Sequence, residues 1–246
     1  MSEILFSLTI EQILAISRNG FRRWARTNIY DTSDTDYENG GDTPVAHGWF
    51  NQTPSITNGY LASVNFVNDD SGWAVGYDDS NNAIILNTVN GGINWSAQTS
   101  PVTSGTLASV NFVDALNGWI VGYTGTTDSI ILNTVDGGIN WSVQTSPITV
   151  GTLASVNFVD ALNGWAVGDA TDDEYIIHTV DGGVNWSAQT SPVTGTTFTS
   201  VSFTDINDGW IVGNNSIILH TIDGGSAWSA QTSPISGVYM LSVYFV

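Results

Sequence analysis

The pattern of apolar and polar positions repeats four times along the chain. The copies begin at Leu61, Leu107, Leu153 and Phe198. Within each copy, short runs of alternating or continuous apolar residues are separated by Gly, Pro, Asn and Asp. Such runs predict four short β-strands per copy. In the first copy the predicted strands are residues 61–67, 72–77, 83–89 and 94–99.

Four strands in every 40–45 residues or so is the period of a β-propeller blade. The sequence therefore predicts an all-β fold, a β-propeller of four-stranded blades. An extended β-solenoid is the competing fold, but its repeats are usually shorter, and it would not place two tryptophans at fixed positions in each repeat. The predicted full blades are residues 61–106, 107–152, 153–197 and 198–239.

The two ends of the repeat region predict a fifth, composite blade. Residues 49–54 imitate the end of a repeat, residues 95–101, and residues 240–246 begin another one. A closed ring of five blades forms if residues 42–60 and 240–246 share one blade. That arrangement would cover an apolar strand edge that otherwise favours aggregation. A truncated fragment and a strand donated between subunits are the alternatives.

The turn after the third strand carries the sharpest motif, Thr-x-Asp-Gly-Gly-x-x-Trp. An Asp or Asn side chain in such a turn accepts hydrogen bonds from backbone N–H groups just downstream. The glycines supply positive φ, and the Trp buries a large apolar area between strands. The predicted turn-forming residues are Thr88, Asn90, Thr134, Asp136, Thr179, Asp181, Thr221 and Asp223.

This spacing resembles the Asp-box, or BNR repeat, of sialidases, sortilin-type receptors and the photosystem II assembly-factor family. Together with the Gly-Trp-Ala/Ile-Val-Gly strand, it is most similar to the assembly-factor-like branch that is common in bacterial exported proteins. The resemblance covers about residues 42–246 and implies the fold. Propellers of this kind usually have six to eight blades, whereas this chain has four full copies. The resemblance also implies a basic partner-binding surface, which this chain lacks.

Charge and composition exclude several classes of function. The net charge is −19, with 23 acidic residues and four arginines, so no basic surface exists to bind nucleic acid. The chain has no cysteine, and no run of 18 apolar residues predicts a membrane span. A sialidase needs clustered arginines, yet no Arg or Lys follows Arg26. We therefore expect a protein that is not an enzyme and has no catalytic residues.

Residues 1–41 do not follow the repeat. Residues 9–12 resemble a helix capping box, and apolar residues recur at helical spacing up to Trp24. The four arginines that could anchor this segment are Arg18, Arg22, Arg23 and Arg26. The segment is predicted to be a helix with an acidic linker that docks on its own acidic propeller. The alternatives are an anchor to a partner subunit or anionic surface, and a degenerate first strand. The start does not resemble a signal peptide.

The loop after the second strand varies most between copies, and variable loops on a rigid scaffold often form a binding surface. Drift at tolerant positions is the alternative. The candidate binding residues are Tyr77, Asp78, Asp79, Tyr123, Asp128, Asp172, Asp173 and Glu174. Among them Asp78, Asp79, Asp172 and Asp173 could hold Ca²⁺, which prefers oxygen ligands, although no EF-hand spacing is present. No other cofactor is expected.

The sequence favours a non-enzymatic binding or assembly propeller that acts outside the cell or on a particle surface. It would bind a protein or glycan partner, with no nucleic acid and no membrane span, and it could form a homo-oligomer or a larger assembly. A structural protein of a virion or filament is one alternative. A carbohydrate-binding lectin, with Tyr77 and Tyr123 stacking on sugar rings, is the other. The acidity could instead reflect a saline habitat.

Overall fold

A computed structural model describes residues 58–125, 128–148, 150–170 and 173–245. These residues form sixteen β-strands in four sheets and one short 3₁₀ turn, Asn214–Ser216. The strands are β1 Tyr60–Phe66, β2 Gly72–Tyr77, β3 Ala83–Thr88, β4 Ser96–Gln98, β5 Thr106–Phe112, β6 Gly118–Thr124, β7 Asp128–Thr134, β8 Ser142–Val143, β9 Thr152–Phe158, β10 Gly164–Ala170, β11 Asp173–Thr179, β12 Ser187–Gln189, β13 Phe198–Phe203, β14 Gly209–Gly213, β15 Ile218–Thr221 and β16 Ser229–Ala230.

Each sheet is an antiparallel meander of four consecutive strands. The first strands β1, β5, β9 and β13 contact one another in series, whereas the fourth strands lie at the outer edges. This arrangement is that of consecutive propeller blades, so the predicted fold class is confirmed. The predicted strand boundaries agree with the observed ones to within two residues at each end.

The core lies between neighbouring blades, and one aromatic stack recurs at each junction. Phe158, on the first strand of the third blade, stacks on Trp119 of the second blade with ring centroids 3.6 Å apart. The same ring meets the edge of Trp186, the tryptophan of its own Asp-box turn, at 5.7 Å. Phe112 and Phe203 are packed in the same way. Each of these core clusters therefore combines residues of two neighbouring blades.

Hydrogen bonds between blades set their register near the axis. Ser109 Oγ accepts from Val156 N, and Asn111 Oδ1 accepts from Phe158 N at 2.8 Å. Equivalent bonds join the first and second blades and the third and fourth blades. Polar residues that alternate with the core residues of each first strand thus replace the missing backbone ladder between sheets.

Residues 240–245 pack on the fourth blade in the place where a following blade would put its first strand. Val243 N and Phe245 N donate to Ser200 Oγ and Ser202 Oγ, both at 3.1 Å. The Phe245 ring stacks on Trp210 at 4.0 Å. No strand ladder involves residues 240–245 within the described part of the chain. The predicted composite blade and its ring closure stay predictions, because residues 42–57 lie outside the described residues.

The predicted N-terminal helix of residues 1–41, with its four arginines, also lies outside the described residues. Among the residues that are described, no helix is long and apolar enough to cross a membrane.

Candidate functional site

The Asp-box turns have the same geometry in all four blades. In the second blade, Asp136 Oδ1 accepts from Thr134 Oγ1 at 2.8 Å and from Asn140 N at 2.9 Å. The buried Thr134 hydroxyl oxygen in turn accepts from Gly138 N. Asn90 makes the corresponding amide-oxygen bonds in the first blade. The turn therefore needs the side-chain oxygen, and an amide can supply it.

These hydrogen bonds lower the pKa of the turn carboxyls. The backbone N–H of Asn140, followed by its side-chain amide, lowers the pKa of Asp136. The N–H groups of Asn185 and Ala227 do the same for the pKa of Asp181 and of Asp223. The folded protein thus favours the ionised form of these groups. Their contribution to stability is present above the unfolded pKa and is lost as pH falls through the lower folded pKa.

We expect the melting temperature of Asp136→Asn to fall less than that of the wild type when pH falls below about 4. The substituted amide keeps the acceptor oxygen and does not titrate, as Asn90 already does not. Thermal melts of the full chain between pH 6 and pH 2 measure the difference. Asp79→Asn, at an exposed loop position, controls for the loss of one charge. If the melting temperature of Asp136→Asn fell as much as that of the wild type over this pH range, the prediction would be contradicted.

The two described histidines occupy structural positions opposite tryptophans. His178 stacks on Trp165, and His220 stacks on Trp210, each with centroids 4.6 Å apart. Burial lowers the pKa of His178. His220 Nε2 lies 2.7 Å from Oδ1 of Asp208, the residue just before the neighbouring strand β14. In the first two blades an asparagine holds the corresponding place and bonds to the backbone.

Of the predicted loop residues, the carboxylates described in the first two blades form local hydrogen bonds or are exposed. Asp78 Oδ1 accepts from the backbone N–H groups of Ser80 and Asn82, both at 2.8 Å, so this carboxylate closes its own loop. Those bonds, with the Asn82 side-chain amide first, lower the pKa of Asp78. Asp79 is exposed. Asp128 is exposed and accepts from Thr124 Oγ1.

On the third blade, Glu174 lies opposite Asp169 in the strand pair, and Glu174 Oε2 is buried without a hydrogen-bond partner. Asp173 lies on β11, and Asp172 lies outside the described residues. No group of three or more metal-binding side chains occurs in the described part of the chain. Calcium binding stays a prediction.

The end of the propeller with these loops also carries a pair of aromatic residues, of which the sequence analysis predicted only one. Tyr60, 57% exposed, stacks on Tyr77 with ring centroids 5.3 Å apart. Only Tyr77 was singled out by the sequence. Tyr123, at the corresponding place in the second blade, is half-buried. Stacking of sugar rings on these tyrosines stays a prediction.

The opposite end carries a feature that the sequence analysis missed altogether. In every Asp-box turn the residue before the Asp or Asn is aliphatic and exposed, and in the first three turns so is the residue three positions after it. These side chains are between 63% and 78% exposed. Leu116 and Leu162, on the loop between the first two strands of their blades, are exposed at the same end. Gly137 N donates to the Leu116 carbonyl, which ties turn and loop together. We call these residues the aliphatic rim: Val89, Ile93, Val135, Ile139, Val180, Val184, Ile222, Leu116 and Leu162.

The signal for the rim was present in the sequence. The turn requires Thr, Asp or Asn, two glycines and Trp, but nothing in its hydrogen bonding requires Val135 or Ile139. An exposed aliphatic residue recurs at the same position of four repeats, and repeated apolar exposure at one end of a protein is a mark of interaction surfaces. The rim is therefore the candidate functional surface.

Consecutive four-stranded blades, each with an Asp-box turn between its third and fourth strands, define a β-propeller of the BNR class. The family model for the photosynthesis system II assembly factor YCF48 matches residues 43–146 and 140–233, so the chain belongs to this family. The predicted resemblance to the assembly-factor branch is confirmed. A comparison with curated protein sequences found no significant match.

Similar solved structures agree with this assignment. A structure of YCF48 bound to D1 peptide is 25% identical with a TM-score of 0.55, covering 71% of this chain and 53% of that one. YCF48 from Cyanidioschyzon merolae is 17% identical with a TM-score of 0.54, and the match covers 74% of this chain and 59% of that protein. The GH74 enzyme of Niastella koreensis is 16% identical with a TM-score of 0.54. The match covers 70% of this chain and 29% of the enzyme, and it shows the fold alone. This chain spans less than two thirds of the YCF48 structures.

Proposed function

We propose that this chain is a non-enzymatic scaffold that holds a polypeptide partner against the aliphatic rim. Membership of an assembly-factor family supports a role in binding rather than catalysis. YCF48 in the similar structure is bound to D1 peptide, which supports a polypeptide as the ligand class. The observation that carries the proposal is the exposure of an aliphatic side chain just before the Asp or Asn of the turn in all four blades.

The chemistry of the surface defines the partner. Burying one exposed Val or Ile side chain stabilises a complex by about 1–2 kcal/mol, so several rim residues together can drive association. Loop carboxylates such as Asp114 and Asp160 are exposed at the same end as the rim. No Lys or Arg occurs in the repeats to neutralise them. The partner should therefore present apolar side chains together with Lys or Arg.

The proposed location is the outside of a cell or the surface of a particle. A chain without cysteine or lysine, rich in Ser, Thr, Asn and Gly, and strongly acidic, suits such an exposed location. A role as a virion or filament protein stays an alternative prediction.

A fluorescein-labelled peptide of alternating Leu and Lys should bind the full chain saturably, whereas peptides of alternating Leu and Glu or Ser and Lys should bind much more weakly. Fluorescence anisotropy titrations at fixed salt measure the three affinities. The double variant Val135→Thr/Val180→Thr keeps side-chain shape and removes apolar surface. It should weaken Leu/Lys binding about tenfold.

The matched control is Tyr60→Ser, which removes an exposed aromatic ring at the other end of the propeller. It should leave the affinity unchanged. Equal affinity for all three peptides, or loss of binding in Tyr60→Ser with full binding in the valine variant, would refute the proposed site.

A further inference from the structure

Hydrogen bonds within and between blades make the aliphatic rim one continuous surface. Trp73 Nε1 and Gln98 Nε2 of the first blade donate to the carbonyl of Gly137 in the second, at 3.1 and 2.9 Å. Gly137 N in turn donates to the carbonyl of Leu116, in the loop between the first two strands of its own blade, at 2.9 Å. The same bonds recur in the third and fourth blades. Loops and turns of neighbouring blades therefore alternate along one fixed arc.

One loop position changes its chemistry along this arc. In each blade a turn glycine donates to the carbonyl of that position, which is Asp70, Leu116, Leu162 and Asn207 from the first blade to the fourth. Leu116 and Leu162 are each 56% exposed, and Asp70 and its neighbour Asp69 are exposed as well. Because the main-chain contact is the same in every blade, the turn does not require a carboxylate at position 70.

The loop carboxylates of the second and third blades are already used within their own loops. Asp114 Oδ1 accepts from two backbone N–H groups, both at 2.7 Å, and its Oδ2 accepts from the amide of Asn117. Asp160 makes the same bonds in the third blade. In the first blade the neutral Asn68 closes the loop instead. No residue in the described part of the chain donates to the Asp70 carboxylate, so its oxygens can accept from a partner.

We propose that a polypeptide on the rim lies in one orientation, with its Lys or Arg side chains facing Asp69 and Asp70 and its aliphatic side chains covering Leu116 and Leu162. The inference rests on the proposed function, because it concerns the same surface and the same class of partner. Charge complementarity sets the orientation. In the reverse orientation, an ammonium group would lose water against leucine without a counter-charge. The favoured partner therefore has its basic residues grouped at one end of an apolar stretch.

A synthetic peptide with a lysine block at one end and a leucine–serine block at the other tests this orientation on the full chain. The photo-cross-linking residue benzoylphenylalanine is placed in either block, and mass spectrometry after chymotrypsin digestion locates the cross-links. From the lysine block, cross-links to residues 68–93 of the first blade should exceed those to residues 160–184 of the third about fivefold. From the leucine–serine block, the excess should be reversed.

An exchange variant moves the acidic pair from the first blade to the third, with composition and net charge unchanged. It is Asp69→Ala/Asp70→Leu/Ala161→Asp/Leu162→Asp, in which each loop receives the residues that the other carries. The peptide should bind it with the wild-type affinity and in the opposite orientation. Asp70→Leu alone provides the test if the exchange variant does not fold. It should keep saturable binding and reduce the excess to about twofold, because Asp69 remains.

The outcomes separate this inference from the proposed function. Saturable binding with cross-links from both blocks spread equally over the first and third blades would overturn the orientation and leave the proposed function standing. An unchanged orientation in the exchange variant would do the same. Absence of saturable binding to the wild-type chain, or cross-links confined to the loops around Asp78 at the other end, would refute the proposed function and this inference with it.

Discussion

Replacing Phe158 by Ala should lower the free energy of unfolding by about 3–5 kcal/mol, because the ring is held on three sides. It stacks on Trp119 from the neighbouring blade and meets the edge of Trp186 from its own. Below it lies Gly164, where an added Cβ would come within 2.4 Å of the ring, so no side chain can fill the space. The cavity would therefore open at the contact between two blades.

Urea denaturation of the full chain measures this effect, and Phe158→Leu gives a smaller loss should the alanine variant not fold. Phe66 provides the matched control. Its described aromatic partner is Trp95 alone, at 5.9 Å and edge-on. Phe66→Ala should therefore cost less than Phe158→Ala. A Phe158→Ala loss below that of Phe66→Ala would show that stacking between blades is not what holds them together.

Gly122→Ala should destabilise the chain by about 3 kcal/mol or more, although the change adds one methyl group. Gly122 pairs with Leu107 where the register between β5 and β6 shifts. A Cβ at this position would lie 2.0 Å from the carbonyl oxygen of Thr106. That atom belongs to the backbone of the innermost strand, which cannot move away without breaking the strand pairing.

Gly195→Ala is the control, since a Cβ there meets nothing within 4 Å and strain arises only from its φ of +69°. It should cost about 1 kcal/mol. Thermal and urea unfolding of both variants compare the two causes directly. Similar losses of stability in both variants would contradict the claim that the Thr106 carbonyl excludes a side chain at position 122.

The sequence was sufficient to predict the blades because their signals are local. Period-2 strands, paired glycines and the Thr-x-Asp turn each act within a few residues, and the structure places Thr134 and Asp136 as expected. Gly122 gave no such signal, because its constraint comes from the Thr106 carbonyl across the sheet. Gly in a strand indicates a bulge in general but does not identify the contact.

Contacts between blades were equally hidden from sequence reasoning. Gln98 reads as an ordinary polar residue at a strand end, and its role emerges only when Gly137 and Trp141 of the next blade are placed beside it. The same limit applies to the candidate site. Variability between repeats marks the loop with Asp78 in the sequence, whereas Val135 and Ile139 lie in a turn that hardly varies and carry no such mark.

Hydrogen–deuterium exchange of the full chain, measured by mass spectrometry with and without the Leu/Lys peptide, tests the central claim most directly. If a polypeptide is held at the aliphatic rim, exchange should slow in the four segments 88–95, 134–141, 179–186 and 221–228, which contain the Asp-box turns. Protection confined to the loops around Asp78 and Gly125, at the other end of the blades, would contradict it.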